Sequence, residues 1–429
     1  MTSTTADYRA ASAAPPWYDA VRPAERIRGE RLALAATAVA VALLPLAIPN
    51  GPGNLAPVDA FTIIAVGATL LCAVNGRLPW RVPYAIPVGL ALLGGTIGAL
   101  VGPVPTAGLI ALLQDILLIL WCWTIVNICH KAANLRVILT TWVYSGIAWA
   151  IVGCVGLVTG STLLTGQIDR QGTRLQLTLN DPSYAANYFF ISIMIMWATQ
   201  RPAHRLLRWA AYVTLLIPLA ATGSNSGIVA VTVGTILAST LGAYRRTGAA
   251  GAVAMLAGII LVGAFLVSTV SLTNIQEQAS TSKWAFVRAG IGRSPQSTSQ
   301  RESLVSESVG LYERGNVLGD GPVSTKPRLV QEEAPLIKEA HDDYFAALIE
   351  RGPLGFIGVL LFVCSVLGRS LFVATKSPRE LLNVIPRPNA LMGAAAGTLI
   401  GGTVYELLHV RHIWALYAVV AAASLWRSD

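Results

Sequence analysis

Charge is scarce in this chain: only 12% of its 429 residues are Asp, Glu, Lys or Arg. Soluble domains carry about 25%, so a water-soluble globular protein is excluded. Cysteine is scarce as well. The five present, Cys72, Cys122, Cys129, Cys154 and Cys364, all fall in or at the end of apolar segments, which reads as packing rather than a disulfide framework, a thiolate metal site or a nucleophile. A basic stripe with interleaved aromatics is missing, so the net charge of +9 is no nucleic-acid footprint and suits basic loops beside a membrane. No internal repeat is evident, and no cleavable signal peptide. Residues 1–31 are polar, with four acidic residues among five arginines, and read as a cytoplasmic tail ending in a short interfacial helix near Trp17 to Arg31.

What the chain does have is apolar length. Hydrophobic residues make up 54% of it, in runs matching the roughly 17–25 residues needed to cross about 30 Å of hydrocarbon. Twelve such segments are expected: about 32–48, 58–74, 83–101, 105–128, 137–159, 183–199, 207–222, 226–243, 249–270, 353–374, 389–405 and 411–426. The fold class implied is an all-α polytopic membrane protein of about twelve transmembrane helices. Nine of them occupy 32–270 and three lie within 341–429, on either side of one large extracytoplasmic loop at 271–340 that contains short helices. Alternate connections carry the lysines and arginines: Arg77 and Arg81, Lys131 and Arg136, Arg201 to Arg208, Arg245 and Arg246, then Lys376, Arg379 and Arg387. The short loops at 49–57, 102–104 and 223–225 carry none. This bias sets both termini in the cytoplasm.

Chemistry is expected where the large loop meets the membrane. His341-Asp342-Asp343 places an imidazole and two carboxylates at the start of a helix that Gly352-Pro353 interrupts, and ionisable groups at such depth are costly enough to be functional candidates. Within the loop, Leu304, Leu311 and Tyr312 fall on one helical face. Arg301, Glu302, Glu307, Glu313 and Arg314 supply the wet side, and Gly315 and Gly319-Asp320-Gly321-Pro322 end the piece. The loop reads either as a solvated cap or as a lid carrying Arg301 or Arg314 onto an anionic substrate. Asp181-Pro182 opens a helix, and capping nearly accounts for Asp181; Arg174, six residues earlier, suits bidentate phosphate binding. Thr222-Gly223-Ser224-Asn225-Ser226-Gly227 is either an ordinary turn or a set of hydroxyl, amide and N–H groups offered to an anion. Tyr405, Glu406, His409, Arg411 and His412 cluster between the last two helices. The two histidines read as part of an interfacial girdle with Trp414 and Tyr417, and Glu406 and Arg411 pair with each other or with the loop. Asp115 is the main charge inside a helix, its partner unspecified.

Five of these stretches, in order, resemble the O-antigen ligase and polymerase family of membrane glycosyltransferases over roughly residues 170–426. LNDPSYAANYF is similar to the family's Asp-Pro-Asn stretch, with Ser183 where asparagine is usual. TGSNSGIVAV resembles its Thr-Gly-Ser-Arg-Gly turn, with Asn225 where an arginine is frequent. LGDGPVST matches its Gly-x-Gly-Pro turn, HDDYFAALIERGPLGFIGVLL its His-Asn-x-x-Leu and Glu-x-Gly-x-x-Gly run, and YELLHVRHIWAL its last helix. The resemblance implies a metal-independent, cofactor-free transferase of the bacterial inner (plasma) membrane, acting in cell-envelope polysaccharide biosynthesis. It would pass a glycan from a polyprenyl-diphosphate carrier to a glycan or lipid-glycan acceptor, with membrane lipids around it and no nucleic acid. It also implies His341 as the catalytic residue, with Arg174, Arg301 and Arg411 on the diphosphate. Asp181, Ser224, Asn225, Asp342, Asp343 and Glu406 would support them, an aspartate beside His341 raising its basicity by bonding the ring. The competing expectation is a transporter or flippase of lipid-linked glycan, which needs a similar helix count but places its charges near the midplane of repeated halves.

Overall fold

The computed structural model describes residues 23–48, 55–165, 174–269, 277–283, 288, 309–332 and 342–426. Among them no strand occurs, and helices follow one another in the order α1 (Pro23–Ala42), α2 (Pro57–Val74), α3 (Ala85–Val101), α4 (Pro105–Ile128), α5 (Ala132–Thr159), α6 (Thr162–Thr165), α7 (Pro182–Thr199), α8 (Arg205–Ala221), α9 (Asn225–Thr269), α10 (Thr325–Gln331), α11 (Asp343–Lys376), α12 (Arg379–Leu382), α13 (Asn389–Gly401) and α14 (Arg411–Ser424). Five are long and apolar enough to cross a membrane: α2, α4, α5, α9 up to Val262, and α11. Large apolar side chains face outward: Ile86, Leu100, Leu113, Ile151, Val213 and Ile260 are each more than half exposed. Water would not tolerate that surface; lipid would.

Several helix limits follow from local chemistry. The first helix is continuous from Pro23, where a separate interfacial helix and a span to residue 48 were expected, and it stops at Ala42 because Pro45 lacks an N–H and disfavours helical backbone before it. Asp181 caps α7 as expected, its carboxylate accepting from Ser183 N at 2.5 Å with Pro182 at the first position. The long α9 is two helical stretches joined at Gly248, whose φ of 73° breaks the ladder, near the division the sequence shows between 243 and 249. The large loop keeps its helical piece at 309–314, and Leu311 packs with Leu329 and Ile349 in a small core of its own.

The connections gather at two ends of the bundle. At one, Lys131 bonds Glu30, Arg81 N donates to Asn127, and Arg387 N donates to the Ala198 carbonyl. At the other, Thr178 meets Pro45, Leu175 N meets the Ala221 carbonyl, and Asp343 N meets the Gly402 carbonyl. The connections rich in lysine and arginine thus share one end. The last helix, α14, is the axis of the bundle: Ile413 and Ala415 to Val420 are fully buried. His412 and Tyr417 belong to this core, against the expectation of an interfacial girdle; the His412 ring lies edge-on to Tyr188, with centroids 5.7 Å apart.

Lipid gives helices no hydrophobic reason to associate, so close backbone approach must hold them. The α3–α11 pair shows this. A Cβ on Gly94 would lie 2.4 Å from Gly355 N, and one on Gly358 would lie 2.5 Å from Ala91 N. The break in α11 is at Gly352 (φ 62°, ψ −175°), and Pro353 has no N–H for the Ile349 carbonyl. The turn of the large loop replaces the lost bonds: Asp320 N donates to Ile349 O and Gly321 N to Glu350 O, each at 2.9 Å. A side chain on Gly352 would meet the Leu318 carbonyl at 2.6 Å besides forcing a left-handed residue. Gly352→Ala is therefore expected to lower stability by about 1–3 kcal/mol, read as a lower Tm in detergent. Gly67→Ala, on open space in α2, should leave the Tm unchanged.

Candidate active site

A cavity of about 460 Å3 opens between α2, α3, α4, the 322–327 turn, the start of α11 and the 406–414 segment. Its deep wall is apolar, with Pro87, Val88, Leu92, Leu118, Val359 and Phe362. Its polar side carries Asp59, Gln114, Asp115, Lys326, Asp343, Glu350, Arg351, Glu406, His409 and Arg411.

The irregular 402–410 segment between α13 and α14 forms one flank. Backbone at this depth needs internal partners, and Asp343 supplies them. Its carboxylate accepts from Leu407 N at 2.9 Å and Leu408 N at 3.0 Å, while its own N–H donates to Gly402 O at 2.9 Å. Asp342 caps α11, accepting from Tyr344 N at 2.7 Å and Phe345 N at 3.0 Å; burial raises its pKa against the pull of those two N–H groups. Both aspartates thus bond backbone N–H groups on described residues. Tyr405 OH donates to Asp181 Oδ2 at 2.7 Å, and His409 Nε2 lies 2.6 Å from the Tyr184 hydroxyl, which ties the segment to the start of α7.

Two ion pairs line the cavity. Arg411 holds Asp59, in the first turn of α2, through Nε and Nη2, both at 2.5 Å. Arg351 Nη2 meets Asp115 Oδ2 at 2.7 Å, which names the partner that the sequence left open. Glu350 accepts from Thr325 Oγ1 at 2.8 Å, and Arg328 pairs with Asp320 and Glu332. Arg314, read as a lid cation, also bonds Glu332 at 2.7 Å.

The expected site residues divide as follows. Asp343, Glu406 and Arg411 line the cavity with His409. Arg174 is buried away from its lining and donates from Nε to Thr222 O at 2.7 Å and from Nη2 to Gly223 O at 3.2 Å. That turn is itself buried, with Ser224 Oγ 2.9 Å from Ser226 Oγ and accepting from Gly227 N at 3.3 Å; Asn225 begins α9 beside it. His341 and Arg301 lie outside the described residues. Asp59, Lys326, Glu350 and Arg351 were not expected in the site. Glu350 and Arg351 stand within the Glu-x-Gly run, and an acid at the third position of an apolar helix was the signal for Asp59. Among the described residues no group of three His, Cys, Asp or Glu is arranged to hold a metal ion, and the cysteines are free thiols.

Residues 210–360 match the family model described as O-Antigen ligase. The match supports assigning the chain to the O-antigen ligase and polymerase family, with a role in glycosyl transfer at a membrane during surface-polysaccharide synthesis. Apolar helices and family together suggest a multi-pass protein of a bacterial inner membrane. No curated protein matches the chain.

Removing one partner of a half-buried ion pair strands the other charge in a place that water reaches only in part. Asp115→Leu is expected to destabilise the protein, by less than the roughly 3–5 kcal/mol of a fully buried pair, whereas Asp115→Leu with Arg351→Leu should recover most of that loss. Unfolding of the three variants in one detergent gives the cycle.

Proposed function

We propose that this protein transfers a glycan from a polyprenyl-diphosphate carrier to a hydroxyl of a glycan or lipid-glycan acceptor, at the extracytoplasmic face of a bundle that crosses the membrane about twelve times with both termini in the cytoplasm. The observation that carries this reading is the cavity itself, which joins an apolar wall suited to a lipid chain with a polar side directly beside the start of α11. In the sequence His341 immediately precedes Asp342, the N-cap of α11.

In the proposed reaction the acceptor oxygen attacks the anomeric carbon of the donor. The bond from that carbon to the diphosphate oxygen breaks, its electron pair leaving with the diphosphate, and the acceptor proton passes to the His341 imidazole. Imidazole suits the step because it titrates near neutral pH. The charge gathering on the leaving group calls for cations already in place. Arg411 supports this part, since it lines the cavity beside Asp59; Arg174, which braces the Thr222-Gly223 turn away from the lining, and Arg301 complete the proposed set. No metal ion or cofactor enters this scheme. Asp343 serves by holding 407–408, and Glu406 and His409 with them, against the cavity.

Full-length protein reconstituted with a lipid-diphosphate glycan and an acceptor tests the reading. His341→Ala should lower transfer by at least about 100-fold, the range assigned to a positioned general base, while donor binding persists. Full activity in that variant would sink the mechanism. Movement of the lipid-linked glycan across vesicles with no covalent product would replace it with the flippase reading.

A further inference from the structure

Three lysine or arginine side chains line the cavity: Lys326, Arg351 and Arg411. Two of them stand in ion pairs. Arg411 grips Asp59 with two nitrogens, and the half-buried Arg351 is paired with Asp115. Lys326 has no ion pair or hydrogen bond among the described residues, and its residue is exposed at the cavity mouth.

Its backbone, by contrast, is firmly placed. Thr325 is anchored through its hydroxyl to Glu350, Leu329 is buried in the small core with Leu311 and Ile349, and Arg328 is clamped by Asp320, whose N–H closes the break in α11. These anchors hold α10 so that Lys326 and Pro327 line the cavity, and the lysine is the charged one of the two. An ammonium on a four-carbon stem is a mobile point charge with three donors. It can follow an anion entering the cavity without the fixed fork that an arginine imposes.

We propose that Lys326 is the entry contact for a phosphate ester anion, recruiting the diphosphate group of the donor to the cavity mouth and thereby setting the affinity for it. The inference rests on the transferase reading for the identity of that donor, but the binding contact stands apart from the chemistry. A contact of this kind acts on donor affinity and on its salt dependence, and not on the rate of the chemical step.

The test uses full-length wild type, Lys326→Ala, Lys326→Glu and Lys326→Arg in detergent or nanodiscs of neutral lipid. Equilibrium binding of a fluorescent lipid-diphosphate glycan is measured at low and high salt, and transfer kinetics are measured alongside. Lys326→Ala should weaken donor binding about 5- to 10-fold, an effect on the scale of one ordinary hydrogen bond at an exposed position. Lys326→Glu should weaken it further and Lys326→Arg should stay near wild type. The alanine variant should show a shallower salt dependence, a raised KM for donor, and an unchanged kcat and KM for acceptor. Added pyrophosphate should compete with the donor in wild type and less in Lys326→Ala. Competition by vesicles of anionic phospholipid, without competition by pyrophosphate, would assign the lysine to lipid headgroups and overturn the proposal. Equal donor affinity in wild type and Lys326→Ala would overturn it too, as would equal loss in Lys326→Arg, which marks a structural role. If wild type binds donor and transfers nothing, the transferase reading fails while the salt and variant series still decides the role of Lys326.

Discussion

Backbone polar groups released by an interrupted helix must find partners inside the protein when no water can reach them, and this constraint shapes the cavity. The protein interrupts its helical order at two neighbouring places. At Gly352-Pro353 the Ile349 and Glu350 carbonyls accept from the Asp320 and Gly321 amides. At 402–410 the Leu407 and Leu408 amides donate to the Asp343 carboxylate. Each unmet group would cost about 1–3 kcal/mol, so the two repairs fix where the large loop and the last connection must lie. The cavity is the space between them.

Those repairs also distribute charge. The loop turn that closes the α11 break brings Asp320 to Arg328 and Thr325 to Glu350, which presents Lys326 at the opening. The connection held by Asp343 brings Glu406 and His409 to the same wall and starts α14 so that Arg411 meets Asp59. Arginine and aspartate at this depth are tolerable only as pairs, and both arginines of the cavity are paired. A cavity with neutralised deep charges and one uncommitted cation at its mouth, counted among the described residues, suits an amphiphilic substrate whose anionic part stays near the surface.

Much of the helical architecture was legible in the chain because lipid imposes simple rules. Each expected apolar segment overlaps a helix, five of the helices being long and apolar enough to cross a membrane, the Gly248 and Gly352 interruptions lie where glycine breaks an apolar run, and Asp181-Pro182 caps α7. The site was legible in part. Asp343, Glu406 and Arg411 were expected and line the cavity, whereas Asp59, Lys326, Glu350 and Arg351 were not singled out. The histidine girdle failed for a definite reason: Arg411-His412-Ile413-Trp414 reads like an interfacial sequence, but α14 enters the middle of the bundle, where His412 and Tyr417 are fully buried. Sequence amphipathicity cannot distinguish an interface from a protein core that is itself polar in places.

By itself, then, the order of residues determined helix lengths, break points, caps and the segregation of basic connections, since each depends on residues within a few positions of one another. Tertiary structure alone decided the partners: Arg351 with Asp115, 236 residues apart, Arg411 with Asp59, 352 apart, and Asp343 with Leu407, 64 apart. A charge announces that it needs a counter-charge, but which one it meets follows from how helices pack side by side, and small residues such as Gly94 and Gly355 settle that only once the bundle has closed.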